Sequence, residues 1–258
     1  MRRQDLSPRQ LLPNGYLDLL RQLLLFAGAY FGYQTVRGIV DGQKSLAFAN
    51  GHHIIDFERS THTFFEPNLQ SAFIDHRWLI DFANFMYLNS HFIVTTTFLA
   101  WLYLRRNENF YFVRNMFMVA MGLALVGYVL YPTAPPRLYP ELGFVDTISA
   151  VAHVNHDSAL VSVFVNPYAA VPSMHCAFAL MIGVPGFLLT RHTVFKVFWA
   201  LYPLIVIWVV IVTGNHYWLD GAIGAMVAAV SAVVAQRLFA RARPEVWSFA
   251  PAPGEAQA

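Results

Sequence analysis

Charge is scarce in this chain: only 12% of its 258 residues are charged, about half the share expected of a soluble domain (roughly 25%). Water is therefore not its main solvent. Cysteine is almost missing as well. Cys176 is the only one, which excludes an intramolecular disulfide and a cysteine-based zinc cluster and leaves the redox compartment unreadable. An internal repeat is also lacking, as is any low-complexity tract. The net charge of +2 is small and topology explains the basic residues, so nucleic acid is not implied as a partner.

What the chain has is apolar residue, 57% by count, gathered into runs of about 20. That is the length an α-helix needs to cross a hydrocarbon layer of ~30 Å. Six spanning segments are expected at about 18–38, 80–104, 110–131, 174–190, 195–213 and 217–239, the fourth being the shortest. The fold class is accordingly all-α, a polytopic membrane helical bundle forming a single domain over residues 1–243. The tail 244–258 reads as disordered. Residues 1–17 are polar and proline-bearing rather than arranged as a cleaved signal, so segment one is expected to stay as an anchor.

Lys and Arg give the orientation, because short cytoplasmic loops are enriched in them. Eleven of the seventeen fall on one side: Arg2, Arg3 and Arg9 before segment one, Arg105, Arg106 and Arg114 where segment two passes into three, Arg191 and Lys196 between four and five, and Arg237, Arg241 and Arg243 after six. The other side holds Lys44, Arg59, Arg77 and Arg137. Both termini are expected in the cytoplasm, and the loops 39–79, 132–173 and 214–216 face outward.

Three outward or buried features stand out from the apolar background. The stretch from Asp41 to Arg77 mixes aromatic residues with charge and reads as surface-lying helix on the outer leaflet. Segment two carries Asp81, Asn84, His91 and Thr95 at offsets that share one helical face, expected to look into the bundle. The loop YPTAPPRLYP packs Pro132, Pro135, Pro136 and Pro140 around Arg137. Proline fixes φ and restricts its predecessor, so the guanidinium is held in a stiff frame suited to a phosphate clamp, with an ordinary loop arginine binding lipid headgroups as the alternative.

VPSMH, Val171 to His175, and TGNHYWLD, Thr213 to Asp220, each place a histidine at the outward end of a spanning helix, level with Arg137. His216 and Asp220 are four residues apart, one turn of helix. Asp220 can hold one ring nitrogen of His216, fixing the tautomer and leaving the other nitrogen to attack. His175 can protonate a departing oxygen and later deprotonate an acceptor. Ser173 and the amides around Met174, at a helix amino terminus, can bind phosphoryl oxygens. The kit suits phosphoryl transfer.

The Pro-Ser-x-His and His-x3-Asp elements together resemble the type-2 phosphatidic acid phosphatase superfamily, which builds them on a six-helix core. YPTAPPR, VPSMH, GNHYWLD and FERSTHTFFEPNLQ look most like its inositol phosphorylceramide synthase-like branch, over about residues 57–237. The resemblance implies His216 as nucleophile, Asp220 as its partner, His175 as acid/base, Ser173 and Arg137 as phosphate ligands, no cofactor, and a lipid phosphate as partner. With the compact chain, it implies a prokaryotic plasma membrane. Two family cations are replaced, a Lys by Leu130 and an Arg by Val210. Arg59 is a candidate substitute, or the substrate carries less charge, as a phosphodiester does. Phosphatase or transferase, acceptor, lipid and oligomeric state stay open.

Two other classes fit parts of the sequence. A transporter or scaffold would use the Asp81, Asn84 and His91 stripe as a polar path. A metal hydrolase would use His52, His53 and Asp56, or His153, His156 and Asp157, although these spacings are not a zinc signature and solvated loop histidines are the ordinary alternative. Cys176, beside His175, reads as a small packing residue.

Overall fold

The computed structural model describes residues 12–39, 43–148 and 168–239. The tail 244–258 and the cluster His153, His156 and Asp157 lie outside these residues. Every regular element among them is helical. Helix α1 spans Gly15–Ile39, α2 Lys44–Ser60, α3 Glu66–Ile74, α4 Arg77–Phe85, α5 His91–Arg105, α6 Asn107–Leu130, α7 Met174–Leu189, α8 Thr193–Val212 and α9 Trp218–Val234. A π-helical turn, Met86–Ser90, joins α4 to α5, and a second, Ala235–Phe239, ends α9.

Each expected segment coincides with helix, the second with α4, the π turn and α5 taken together. Three helical stretches among the described residues are long and apolar enough to cross a membrane: Asn107–Leu130, Thr193–Val212 and Trp218–Phe239. Helices α5 and α7 are apolar but shorter. Helix α6 rises about 36 Å over its 24 residues, enough for a hydrocarbon layer of about 30 Å.

The core is made where α5, α6, α7, α8 and α9 meet, around Leu102, Phe117, Ala124, Ala177, Ile182 and Val210. Small residues let α7 and α9 approach closely, as membrane helices commonly do. A Cβ on Gly224 would lie 2.3 Å from the Ser173 carbonyl oxygen. Gly224→Ala is therefore expected to destabilise the protein by about 2 kcal/mol, an overpacking penalty. Gly122 has nothing within 4 Å of its ideal Cβ, so Gly122→Ala gains roughly 0.5–1 kcal/mol from helix propensity. Thermal unfolding midpoints in one detergent read the opposite signs.

The structure corrects two expectations from the sequence. The stripe in segment two does not hold as one inward face. Asp81 is about half exposed and pairs with Arg77 at 3.9 Å, whereas Asn84 is buried, donating to the Thr147 carbonyl at 3.1 Å and accepting from its hydroxyl at 2.9 Å. The π turn inserts a residue between Asn84 and Thr95, rotating α5 by about 100° relative to α4. Nor is Arg114 a loop cation. It is 2% exposed inside α6, its Nη1 donating to Gln22 at 2.7 Å and its Nη2 to Asn115 at 2.8 Å.

Helices α2 and α3 cap the bundle. The residues Ala47, Asn50, Gly51, Ile54, Ile55 and Glu58 recur at helical spacing and form the buried face of α2. That face meets the proline loop: Asn50 donates to the Pro132 carbonyl at 2.8 Å, and the Ala134 amide to the Ala47 carbonyl at 3.0 Å. The loop is pinned on its other side to the segment leading into α7, where the Thr133 amide donates to the Tyr168 carbonyl at 2.7 Å.

Candidate active site

The carboxyl end of α6, the amino end of α7, the carboxyl end of α8 and the amino end of α9 all lie at one end of the bundle, because α6 to α9 run alternately. The tight turn between α8 and α9 carries His216. Gly214 sits there at φ +68°, and a Cβ at that position would come within 3.2 Å of both Arg137 and Gln70. Glycine is required both for the left-handed backbone and for that approach.

His216 is 5% exposed and Asp220 is fully buried. Their side chains meet at 3.2 Å, Nδ1 to Oδ2, and the same carboxylate oxygen accepts the Tyr217 amide at 3.1 Å. Asp220 thus closes a capping box at the start of α9 and orients the imidazole with one group. The ring of His175 lies 6.0 Å from that of His216, centroid to centroid. It is stacked on Tyr87 at 4.2 Å, and its Nε2 lies 3.3 Å from the Tyr87 carbonyl. Tyr87 belongs to the π turn, a local distortion that frequently accompanies functional sites.

Ser173 is the amino cap of α7. Its hydroxyl accepts the Cys176 amide at 3.5 Å, and its own amide donates to the Asp220 carbonyl at 3.1 Å. That bond ties the two motif-bearing helix ends to each other. Arg137 reaches the His216 turn by its backbone amide, which donates to the Gly214 carbonyl at 2.8 Å, and by its side chain, which donates to Asn215; the side chain also lies 3.9 Å from Asp146.

A cavity of about 950 Å³ opens beside the histidines. Met174, His175 and His216 line one end, and Phe26 of α1, Leu99 of α5 and Phe117 of α6 line its length. Along α6 the lining runs from Phe110 to Tyr128, about 27 Å at the rise of an α-helix. Neither Ser173 nor Arg137 is part of this lining.

A family model matches residues 52–234, more than half of the chain, and its description is PAP2 superfamily. The chain belongs to the PAP2 superfamily. Comparison with curated proteins and with solved structures returns no match. Membership carries a phosphatase or phosphotransferase type of function on phosphorylated substrates, and the apolar helices agree with a membrane protein. Both PAP2 elements, VPSMH and GNHYWLD, lie inside the matched range.

The positions where the resemblance expected two further cations are plain in the structure. Leu130 is 74% exposed at the end of α6, and Val210 is fully buried in the core, its carbonyl taking the Asn215 and His216 amides at 3.0 and 3.1 Å. Arg59 leans on the Phe64 ring at 5.1 Å. His52, His53 and Asp56 are exposed on α2, and among the described residues no group of three or more His, Cys, Asp or Glu side chains is placed to hold a metal ion.

Sequence reasoning missed Tyr87, Glu58 and Glu66. Both glutamates are buried, and they accept the first two amides of α9, Trp218 at 2.9 Å and Leu219 at 3.3 Å. Both lie in FERSTHTFFEPNLQ, within the stretch expected as surface-lying helix.

Proposed function

We propose that this protein is a membrane lipid phosphotransferase that works through a phosphohistidine on His216, moving a headgroup phosphoryl unit of a phospholipid. The observation that carries the reading is the long apolar cavity with both histidines at one end and Asp220 fixed on His216. Such a cavity holds a lipid tail while the phosphate rests between the rings.

Asp220 accepts a hydrogen bond from the Nδ1–H of His216, which keeps that proton on Nδ1 and leaves Nε2 as the attacking atom. Nε2 forms a bond to phosphorus as the bond from phosphorus to the departing oxygen breaks, and His175 gives that oxygen its proton. In the second half His175 recovers a proton from the acceptor hydroxyl, whose oxygen bonds phosphorus while the N–P bond breaks and its electrons return to His216. The Met174 amide in the lining holds the other phosphoryl oxygens, and, as the family resemblance implies, Arg137 and Ser173 join it from outside the lining, Arg137 by exchanging its contacts to Asn215 and Asp146 for the phosphate. No step needs a metal or cofactor.

Headgroup transfer, as in the inositol phosphorylceramide synthase-like branch, is favoured over monoester hydrolysis by charge. A phosphodiester carries one negative charge, which Arg137 matches, and neither Leu130 nor Val210 adds a cation. In the membrane, six segments cross, the site faces outward and both termini are cytoplasmic. The junction of α7 and α8, with Arg191 and Lys196, lies at the end of the bundle away from the site, as the positive-inside rule requires.

The test is a trapping experiment. Purified protein with chelator receives phospholipids labelled at phosphorus, and the reaction is stopped in alkaline detergent. The protein is expected to retain label that survives alkali and is lost in acid, and an added alcohol should convert it to a phosphodiester product. Absence of both protein-bound label and product across the lipid panel would count against an enzyme and for a transporter or scaffold.

A further inference from the structure

Glu58 ends the buried face of α2, and Glu66 begins α3. Between them the chain reverses through Thr61, His62 and Thr63, with the Thr63 amide donating to the Glu58 carbonyl at 2.7 Å. Both side chains are fully buried. Burying one carboxylate is costly and burying two together is far more so, unless donors or a proton offset the charge.

The donors are the first amides of α9. An α-helix leaves its leading N–H groups without partners inside the helix, and its amino end favours negative charge. Here the Trp218 amide goes to Glu66 Oε1 at 2.9 Å, the Leu219 amide to Glu58 Oε1 at 3.3 Å, and the Tyr217 amide to Asp220 at 3.1 Å. Two carboxyls supplied by α2 and α3 therefore cap the helix that carries the catalytic motif. The second oxygen of each, Oε2, is buried and has no hydrogen-bond partner among the described residues. The two carboxyls accept adjacent amides of one helix end, which sets them side by side. Two carboxyls buried side by side repel one another when both are ionised, and one retained proton relieves that repulsion.

We propose that Glu58 and Glu66 share one proton as an acid–carboxylate pair, and that this pair is the positioning device that fixes the first turn of α9 and with it His216 and Asp220. The inference rests on the catalytic reading of those two residues. Burial pushes both carboxyls up, and Glu66, which accepts the shorter of the two bonds, from the Trp218 amide at 2.9 Å, holds the charge. Glu58 holds the proton. Burial, together with the neighbouring Glu66, pushes its carboxyl up to about 9. Around the pair stand Asp220 and Tyr217 of α9 and Tyr139 of the proline loop. None of these is positive, Arg59 on the same helix turns to Phe64, and His216 is engaged with Asp220. The charged side chains that act most strongly on Glu58 are Glu66 and Asp220, both acidic, so a second charge on the pair is opposed rather than offset.

Stability is linked to pH through this raised carboxyl. Below its ordinary value of 4.5, Glu58 is protonated whether the protein is folded or not. Between there and about 9 only the folded protein keeps the proton, so the pair's contribution to stability falls as pH rises through that window. An amide in place of the acid mimics the protonated form and has no such dependence.

The experiment compares wild type, Glu58→Gln and Glu58→Ala in detergent, by unfolding midpoint from pH 5 to 9 and by turnover. The midpoint of Glu58→Gln minus that of wild type is expected to rise steadily across the range. At pH 7, turnover of Glu58→Gln should return to within about threefold of wild type, while Glu58→Ala loses tenfold or more, and the alkaline decline of wild-type activity near pH 9 should be absent in Glu58→Gln. A midpoint difference that is flat with pH, or a Gln variant as impaired as the Ala variant, overturns the pair. If the midpoint difference rises while His216→Gln keeps full turnover, the pair stands and the catalytic reading falls.

Discussion

His216→Gln is expected to lower phosphoryl transfer by a factor of about 10⁴ or more, the loss that results when a covalent nucleophile is removed and only binding and charge stabilisation are left. Glutamine keeps a polar group of similar reach at a site that is 5% exposed, so the change to the fold is small, about the 1 kcal/mol of one hydrogen bond to Asp220. The measurement is single-turnover release from a phosphorus-labelled phospholipid, together with protein-bound label. Both should vanish while the unfolding midpoint moves little. Equal turnover in variant and wild type would leave His216 a structural ring and remove the phosphohistidine.

Much of this architecture was legible because its signals are local. The apolar runs have the length of a bilayer, and α6, α8 and α9 begin and end within a few residues of the expected bounds. The convergence of VPSMH, GNHYWLD and the Arg137 loop was also readable, since each motif abuts an apolar helix whose direction is set by the alternation of spans. His175, His216 and Asp220 come together as that alternation demands.

The parts that escaped are those made by contacts distant in sequence. Glu58 meets Leu219 across 161 positions and Glu66 meets Trp218 across 152. Nothing local marks a carboxyl that will be buried under a helix end. The π turn at Met86–Ser90 is hidden for another reason. It adds one residue to an otherwise regular apolar run, and a periodicity read across it averages two registers into one apparent stripe. Arg114 looked like a topology signal because Arg105 and Arg106 lie just before it, yet its charge is met by Gln22 and Asn115 inside the bundle. A positive residue counts toward orientation only if water or headgroups reach it.

Asp220→Asn separates the two tasks that this carboxylate performs. As a helix cap it accepts the Tyr217 amide at 3.1 Å, and an asparagine oxygen can do the same. As the partner of His216 it holds Nδ1 at 3.2 Å with a negative charge in a fully buried position, and an amide supplies no charge. The positive character that develops on the imidazole as Nε2 bonds phosphorus then goes without compensation, and an amide turned the other way would favour the wrong tautomer. Loss of the equivalent carboxylate in a Ser-His-Asp triad lowers kcat by about 10⁴, and a fall of about 10³–10⁴ in kcat is expected here. KM should stay near the wild-type value because the lipid tail contacts are untouched. If Asp220→Asn instead unfolds the protein while kcat of the remaining folded fraction is normal, Asp220 serves the helix end alone and the imidazole owes its orientation to the turn at Gly214.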